Sequence, residues 1–249
     1  MTQRPLRSFG RIKARTLKPR QEALMETLLP HLATPAEGEI DLPQLFSPLR
    51  SSAGLALPPD APRTTGGACV LEIGFGGGEH LAAQAAAYPR QRFIGVEPFV
   101  NGVASCLRHI EESGVQNVRL HQGDARELMA RLPGECLDLC YILFPDPWPK
   151  ARHHKRRLIQ PAFLDELART LKPGAELRFA TDWANYADWT LWHFTRDARF
   201  AWAAERADDW RKPWPGHVTT RYEMKRLGDC APLWLRFVRT PSAAGDDVG

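Results

Sequence analysis

Apolar residues recur along the chain in two periods, and the change of period divides it. From Gln21 to Leu29 they fall at Leu24, Leu28 and Leu29, the spacing of an amphipathic helix that Pro30 is expected to stop. From Pro30 to Gly67 the chain holds seven prolines, Pro30 included, and no sustained period. This predicts a long irregular connection, with one docked piece at Leu42 to Phe46. From Ala68 onward, short apolar runs alternate with helical stretches. Strands are predicted at 68–73, 92–97, 117–122, 137–144 and 176–180, and helices at 79–87, 98–113, 159–171 and 183–195. The helix at 159–171 buries Ile159, Phe163, Leu164, Leu167 and Leu171 and ends at Lys172-Pro173-Gly174, whereas the one at 183–195 takes Asp182 as its N-cap. Two last runs, 200–204 and 233–238, form a closing antiparallel pair. Strand-helix alternation argues for βαβ units, so the expected fold is α/β, a doubly wound, mostly parallel seven-stranded sheet with a final antiparallel strand. Four segments follow: an N-terminal arm at 1–20, a helix and proline-rich connection at 21–66, the α/β domain at 67–239, and a disordered tail at 240–249.

Composition narrows the class. With 249 residues, 43% hydrophobic and 25% charged, the chain suits one sizeable core. It has no apolar run of membrane-spanning length and no secretory h-region, so a soluble, cytoplasmic protein is expected. The five cysteines, at 69, 106, 136, 140 and 230, show no CxxC pair or zinc spacing, which points to reduced thiols and no metal. The net charge of +4 is unevenly spread: residues 1–20 hold seven Lys or Arg and no acid, and 150–157 hold five more. The remainder carries 21 cations against 29 anions. Positive charge concentrated in two places suits a phosphate backbone as partner.

Three predicted strands end in a carboxylate. The first runs into LEIGFGGG, where Glu72 precedes glycines 74, 76 and 78; Glu97 ends the second, 23 residues past Gly74; Asp124, followed by Ala125 in GDA, ends the third. Glycine loops of this kind let a backbone turn sharply and approach a ligand closely. A nicotinamide dinucleotide would place its pyrophosphate among these acids and be repelled, whereas a sulfonium would be welcome. Three acids at successive strand ends resemble the class I methyltransferases that bind S-adenosyl-L-methionine. Asp124 also reads as a helix cap.

The central apolar run ends in FPDPWPK, which delivers Asp146 to a sheet edge where open α/β sheets bind ligands. PDPW lacks one proline of the (Asp/Asn/Ser)-Pro-Pro-aromatic signature of amino-methyltransferases. Taken with LEIGFGGG, GVEP, GDA, HHKRR, ATDW, TTRYE and the arm segment RSFGRIKARTL, it resembles the bacterial tRNA (guanine-N7)-methyltransferase family over about residues 6–239. Two departures are visible: the proline-rich piece at 47–67 is longer than the family's link, and Ala151 interrupts a basic pair.

The resemblance implies that Glu72, Glu97, Asp124 and Asp146 line a site for S-adenosyl-L-methionine, with Asp146 catalytic, and that Lys150, Asp182, Thr220, Arg221, Tyr222 and Glu223 bind the substrate, a guanine of the tRNA variable loop. Guanine N7 presents an in-plane lone pair, so attack on the methyl needs no base. Asp146, Asp182 and Glu223 are then expected to hold the guanine by its N1 and N2 hydrogens or to offset the charge it gains. Lys150, Arg152, His153, His154, Lys155, Arg156 and Arg157 follow the catalytic strand and are expected to bind phosphates. His153 and His154 have no partner at metal-ligand spacing. Trp148, Trp210 and Trp214 lie in loop contexts suited to stacking on a base. The expected partner is tRNA, with no membrane and no metal, and the protein is a monomer or homodimer. The alternatives are a methyltransferase of the same fold acting on another RNA base or a protein, and a catalytically silent RNA-binding relative.

Overall fold

Seven strands form one sheet in the order β3-β2-β1-β4-β5-β7-β6. The computed structural model describes residues 16–47 and 67–241; most of the basic arm and of the tail, and residues 48–66 of the proline-rich connection, lie outside them. The strands are β1 (Cys69–Ile73), β2 (Arg92–Val96), β3 (Val118–His121), β4 (Leu137–Leu143), β5 (Leu171–Thr181), β6 (Phe200–Trp202) and β7 (Leu233–Arg239). The helices are α1 (Pro19–Thr27), α2 (Leu29–Leu32), α3 (Leu42–Leu45), α4 (Glu79–Ala87), α5 (Val100–Ser113), α6 (Ala125–Met129), α7 (Pro161–Thr170), α8 (Ala184–Phe194), α9 (Asp208–Arg211) and α10 (Arg221–Lys225), with a 3₁₀ turn at Ala151–Arg156.

β1 pairs in parallel with β2 on one side and β4 on the other, and β4 with β5; β7 is antiparallel to both β5 and β6. All five residues of β1 are buried, as expected of a strand covered on both faces. One face packs Leu71, Ile94, Cys140, Ile142, Leu177 and Phe179 against Phe163, Leu167 and Tyr186. The other packs Val70, Phe93, Val118 and Tyr141 against Leu81, Val103, Leu107 and Ile110. Leu24, Leu28 and Leu32 join this second core, and Thr34 N donates to Leu120 O at 2.9 Å, so the packed body reaches back well before residue 67.

Three local expectations are corrected. Pro30 does not end helical structure: it sits in the first turn of α2, where its missing N–H costs nothing. Lys172-Pro173-Gly174 does not form a loop before the next strand but lies inside an 11-residue β5, whose pairing to β4 shifts register between Leu137 and Leu139. Asp182 does not cap α8. The N-cap is Trp183, and the carboxylate that accepts from Ala184 N, at 2.8 Å, is Asp229.

The strand order reverses between β1 and β4, so the loops leaving these two strands flank one crevice at the carboxyl edge of the sheet. No helix among the described residues is long and apolar enough to cross a membrane. Among them, no group of three or more His, Cys, Asp or Glu could hold a metal ion.

Candidate active site

The crevice is a cleft of about 770 Å³, walled by the glycine loop, the ends of β2 and β3, the segment leaving β4, and α10. The glycine loop hangs on β2 through Gly74 N, which donates to Val96 O at 2.8 Å. Gly78 has φ +81°, and a Cβ there would stand 2.4 Å from Cys106 Cβ, so only glycine lets α4 begin this close to α5.

Glu97 closes the loop from the other side. Its Oε2 accepts from Gly76 N and its Oε1 from Phe99 N, both at 2.9 Å. Burial pushes this carboxyl above its ordinary value; the two N–H groups oppose the shift and Asp146 adds to it. Asp124 is the N-cap of α6, accepting from Arg126 N at 2.9 Å, and its Oδ2 also takes Arg126 Nη2 at 2.7 Å. Burial raises the Asp124 carboxyl, but the bonds to Arg126 outweigh it, and its pKa lies below the usual range. Ala125 lines the cleft beside it.

Sequence reading missed Glu79. It occupies the first turn of α4, and a Cβ on Gly77 would meet Glu79 Oε2 at 2.6 Å, so this carboxylate folds back over the loop. Negative charge thus already stands at the helix N-terminus, where a pyrophosphate would have to sit. Glu79 does not itself line the cleft, and its Oε1 lies 2.9 Å from Arg221 Nε, so this helix end is occupied by a carboxylate and its partner.

Glu72 is not among the lining residues. Its carboxylate is buried and pairs with His80 Nδ1 at 2.8 Å, on the side of β1 that faces α4. A residue at a strand end can turn to either face, and here helix packing claims it.

Across the cleft, Phe144 and Trp148 have φ of +51° and +43° and bracket Asp146 between two prolines. Non-glycine residues in this region cost on the order of 1–3 kcal/mol each and persist only where the surroundings enforce them, which is characteristic of functional loops. Phe144 N donates to Ala180 O at 2.8 Å, and its ring packs against Tyr222 at 5.4 Å and Trp234 at 5.8 Å. Asp146 reaches solvent at the mouth, yet it stands in a concavity whose walls desolvate the carboxyl and raise its pKa.

The basic run divides. Lys150, Arg152 and Lys155 are exposed, His153 is half-exposed, and Arg156 lines the cleft with its guanidinium 4.9 Å from the Trp148 ring centroid. His154 turns inward, edge-on to Trp189 at 5.4 Å, with its Nε2 buried. Arg157 is buried and donates to Pro147 O at 2.9 Å and to Asn185 Oδ1 at 2.6 Å. These two residues are therefore not placed to meet a phosphate.

Of the substrate residues expected from sequence, Arg221 and Tyr222 line the cleft, joined by Lys225. Lys150 lies outside the lining. Thr220 and Glu223 form the capping box that starts α10, and both Glu223 oxygens lie 3.0 Å from His217 Nε2. Burial raises the Glu223 carboxyl, but the bonds from His217 and Thr220 outweigh it, and its pKa falls below the usual range. Asp182 is buried, accepting from Gly228 N at 2.9 Å and from the Tyr222 hydroxyl at 3.3 Å. Asp182 and Glu223 thus hold α10 in place rather than facing the cleft. Arg221 does not pair with Glu223; its Nε lies 2.9 Å from Glu79 Oε1, which ties α10 to the glycine helix. Trp214 packs against Tyr141 and Trp234 inside the fold. Trp210 packs against the core opposite.

Residues 67–231 match a family described as "Putative methyltransferase". The chain is 56% identical to the tRNA (guanine-N(7)-)-methyltransferase of Caulobacter vibrioides, over 94% of this chain and 96% of that protein. It is 50% identical to the same-named protein of Hyphomonas neptunium, over 93% and 99%. A solved 16S rRNA (adenine(1408)-N(1))-methyltransferase from Catenulisporales acidiphilia, with cosubstrate SAM, shares the fold at a TM-score of 0.50 and 20% identity, over 71% of this chain and 87% of that one. The seven-stranded class I methyltransferase sheet, the paired glycine and Asp146 loops at its switch point and these near full-length relatives agree: the chain belongs to the tRNA (guanine-N7)-methyltransferase family.

Proposed function

We propose that this protein transfers a methyl group from S-adenosyl-L-methionine to N7 of a guanine in tRNA, in the variable loop by family resemblance. The observation that carries the reading is one cleft holding the glycine loop, Glu97 and Asp146, with exposed cations of the 3₁₀ turn beside it, in a chain whose relatives bear that activity in their names. The donor set suits the methyl donor. Glu97 offers a carboxylate to ribose hydroxyls, Asp124 and Ala125 flank the base position, and the acids around the glycine loop favour a cation. When bound, the sulfonium supplies an electrophilic methyl group.

The chain's own residues then work by orientation and charge. N7 has no proton to remove, so Asp146 acts as an anchor for the guanine and as compensation for the positive charge the purine gains. The walls of the cleft desolvate this carboxyl and raise its pKa above the ordinary value, so the ionised anchor is one that gains from a neighbouring positive charge. Tyr222, packed on Phe144 at the cleft wall, offers a ring to the base, and Arg221 and Lys225 add positive charge at the rim. Arg152, His153, Lys155 and Arg156 are assigned to the RNA backbone. Gln21 of α1 lines the cleft, so the described chain enters its first helix beside the site, and the seven cations of residues 1–20 are assigned to the same polyanion. We also propose that it acts in the cytoplasm, as a monomer or homodimer.

The test is incubation with labelled methyl donor and bulk tRNA, followed by chain cleavage at N7-methylguanine. Label that enters RNA without creating cleavable sites would refute the assigned position.

A further inference from the structure

We infer that Arg157 is a positioning residue for Asp146, a strut that fixes the catalytic loop to α8 rather than a phosphate ligand; the inference rests on the methyl transfer proposed above. In sequence Arg157 is the last of five cations between 150 and 157. In the fold it is 3% exposed. Its Nε donates to Pro147 O at 2.9 Å, its Nη2 to Asn185 Oδ1 at 2.6 Å and its Nη1 to Asn185 O at 3.4 Å. The guanidinium lies over the Tyr186 ring at 4.8 Å and the Trp189 ring at 5.2 Å.

All three acceptors are neutral, so the arrangement is an expensive way to gain stability, because a buried cation without a counter-charge loses more hydration than neutral partners return. What the residue provides is geometry. A planar fork with five donors reaches the loop and the helix together, and the flanking rings fix its plane; a lysine ammonium has no such fork.

The gripped atom is informative. Pro147 follows Asp146 directly and has no N–H, so its carbonyl is the one backbone group of that residue able to accept or make a hydrogen bond. Trp148, next in the chain, is held in the left-handed region, as is Phe144 on the other side. Such a loop keeps its shape only while its surroundings over-determine it. Phe144 is tied to β5 through Ala180 O, and the opposite limb is tied by Arg157 to the first turn of α8. Without the strut the limb carrying Asp146 loses its tie to α8. A misplacement on the order of 1 Å at a reacting centre costs about 100-fold in rate.

The experiment compares wild type with Arg157→Gln and with Asn185→Ala, which removes the side-chain acceptor and leaves the cation. Four quantities are measured: turnover with tRNA, affinity for S-adenosyl-L-methionine, the salt dependence of tRNA binding, and hydrogen exchange at the amides of Asp146, Trp148 and Lys150. A strut predicts a kcat lowered about 100-fold in Arg157→Gln and less in Asn185→Ala, with faster exchange at those amides in both. It also predicts an unchanged salt slope and cofactor affinity. A salt slope reduced by about one with turnover per bound tRNA retained would make Arg157 a phosphate contact and overturn the inference. Exchange and kcat both at wild-type level in the two variants would overturn it as well. Hydrogen exchange is read without RNA. It therefore still decides the strut if wild type fails to methylate guanine N7, an outcome that would sink the functional reading alone.

Discussion

Asp182 offers the sharpest separation between touching the substrate and building the site. Its carboxylate is 4% exposed and accepts two bonds, from Gly228 N at 2.9 Å and from the Tyr222 hydroxyl at 3.3 Å. Replacing it by alanine removes both acceptors. A hydrogen bond to a charged acceptor contributes about 1.5–3 kcal/mol, and the longer one from a half-buried hydroxyl about 0.5–1 kcal/mol, so Asp182→Ala should cost roughly 2–4 kcal/mol. For a chain of this size, about 2–4 °C of melting temperature per kcal/mol gives a fall of roughly 5–15 °C. Asp182→Asn keeps one acceptor for Gly228 N and can donate to the Tyr222 oxygen, so it should lose less than half as much. Tyr222→Phe deletes only the weaker bond and should cost about 0.5–1 kcal/mol. The assay is thermal unfolding by circular dichroism, run beside methylation kinetics at saturating cofactor. Loosening α10 should raise KM for tRNA in the order Ala, then Asn, in step with lost stability. If Asp182→Ala melted within about 2 °C of wild type while KM for tRNA rose steeply, the carboxylate would be a direct guanine contact, and the structural account of it would fail.

Asp146→Asn should lower turnover by orders of magnitude while cofactor affinity changes by no more than a few-fold; near-normal turnover would reject the anchoring role. Glu97 has a pKa raised by burial, so its contribution to stability is full below the ordinary carboxylate value and is lost as pH rises through the raised one. The melting temperature of wild type relative to Glu97→Gln should therefore fall as pH rises from about 4 to 7, and a constant difference would contradict the shift. Gly74 and Gly78 share a left-handed φ, but a Cβ on Gly74 meets nothing within 4 Å and one on Gly78 meets Cys106. Gly74→Ala should thus cost about 1–2 kcal/mol, and Gly78→Ala about 1–3 kcal/mol more, as read by urea denaturation; equal costs would mean that α5 yields freely. Neutralising Arg152 and Lys155 together should reduce the salt slope of tRNA binding by about two while cofactor affinity stays the same, and an unchanged slope would remove them from the RNA interface.

How much of this site the chain announces depends on the range over which each feature is decided. The strands carried apolar runs bounded by glycine and proline, and the parallel sheet followed from their alternation with helices. Asp146 was visible for a local reason as well, since prolines on both sides forbid a continuing ladder and leave the carboxylate at the edge. The residues hardest to read are those whose partners are set by packing rather than by chain order. Asp182 precedes a helix and reads as its cap, yet the carboxylate that accepts from Ala184 N is Asp229, 45 residues beyond that alanine, because the turn around Gly228 docks on Asp182 and brings Asp229 to the helix end. Glu72 lies at its strand end as Glu97 does, but His80, beyond the glycine loop, pairs with it inside the fold. The basic run held one local clue that charge alone concealed. In a 3₁₀ turn residues three apart eclipse, so His154 and Arg157 belong on one side and Arg152 and Lys155 on another. The first pair meets Trp189 and the second meets solvent. A run of like charges therefore divides by helical period before it divides by function. In this chain the division leaves the exposed surface with fewer cations than the sequence suggests and places one of them under the Asp146 loop.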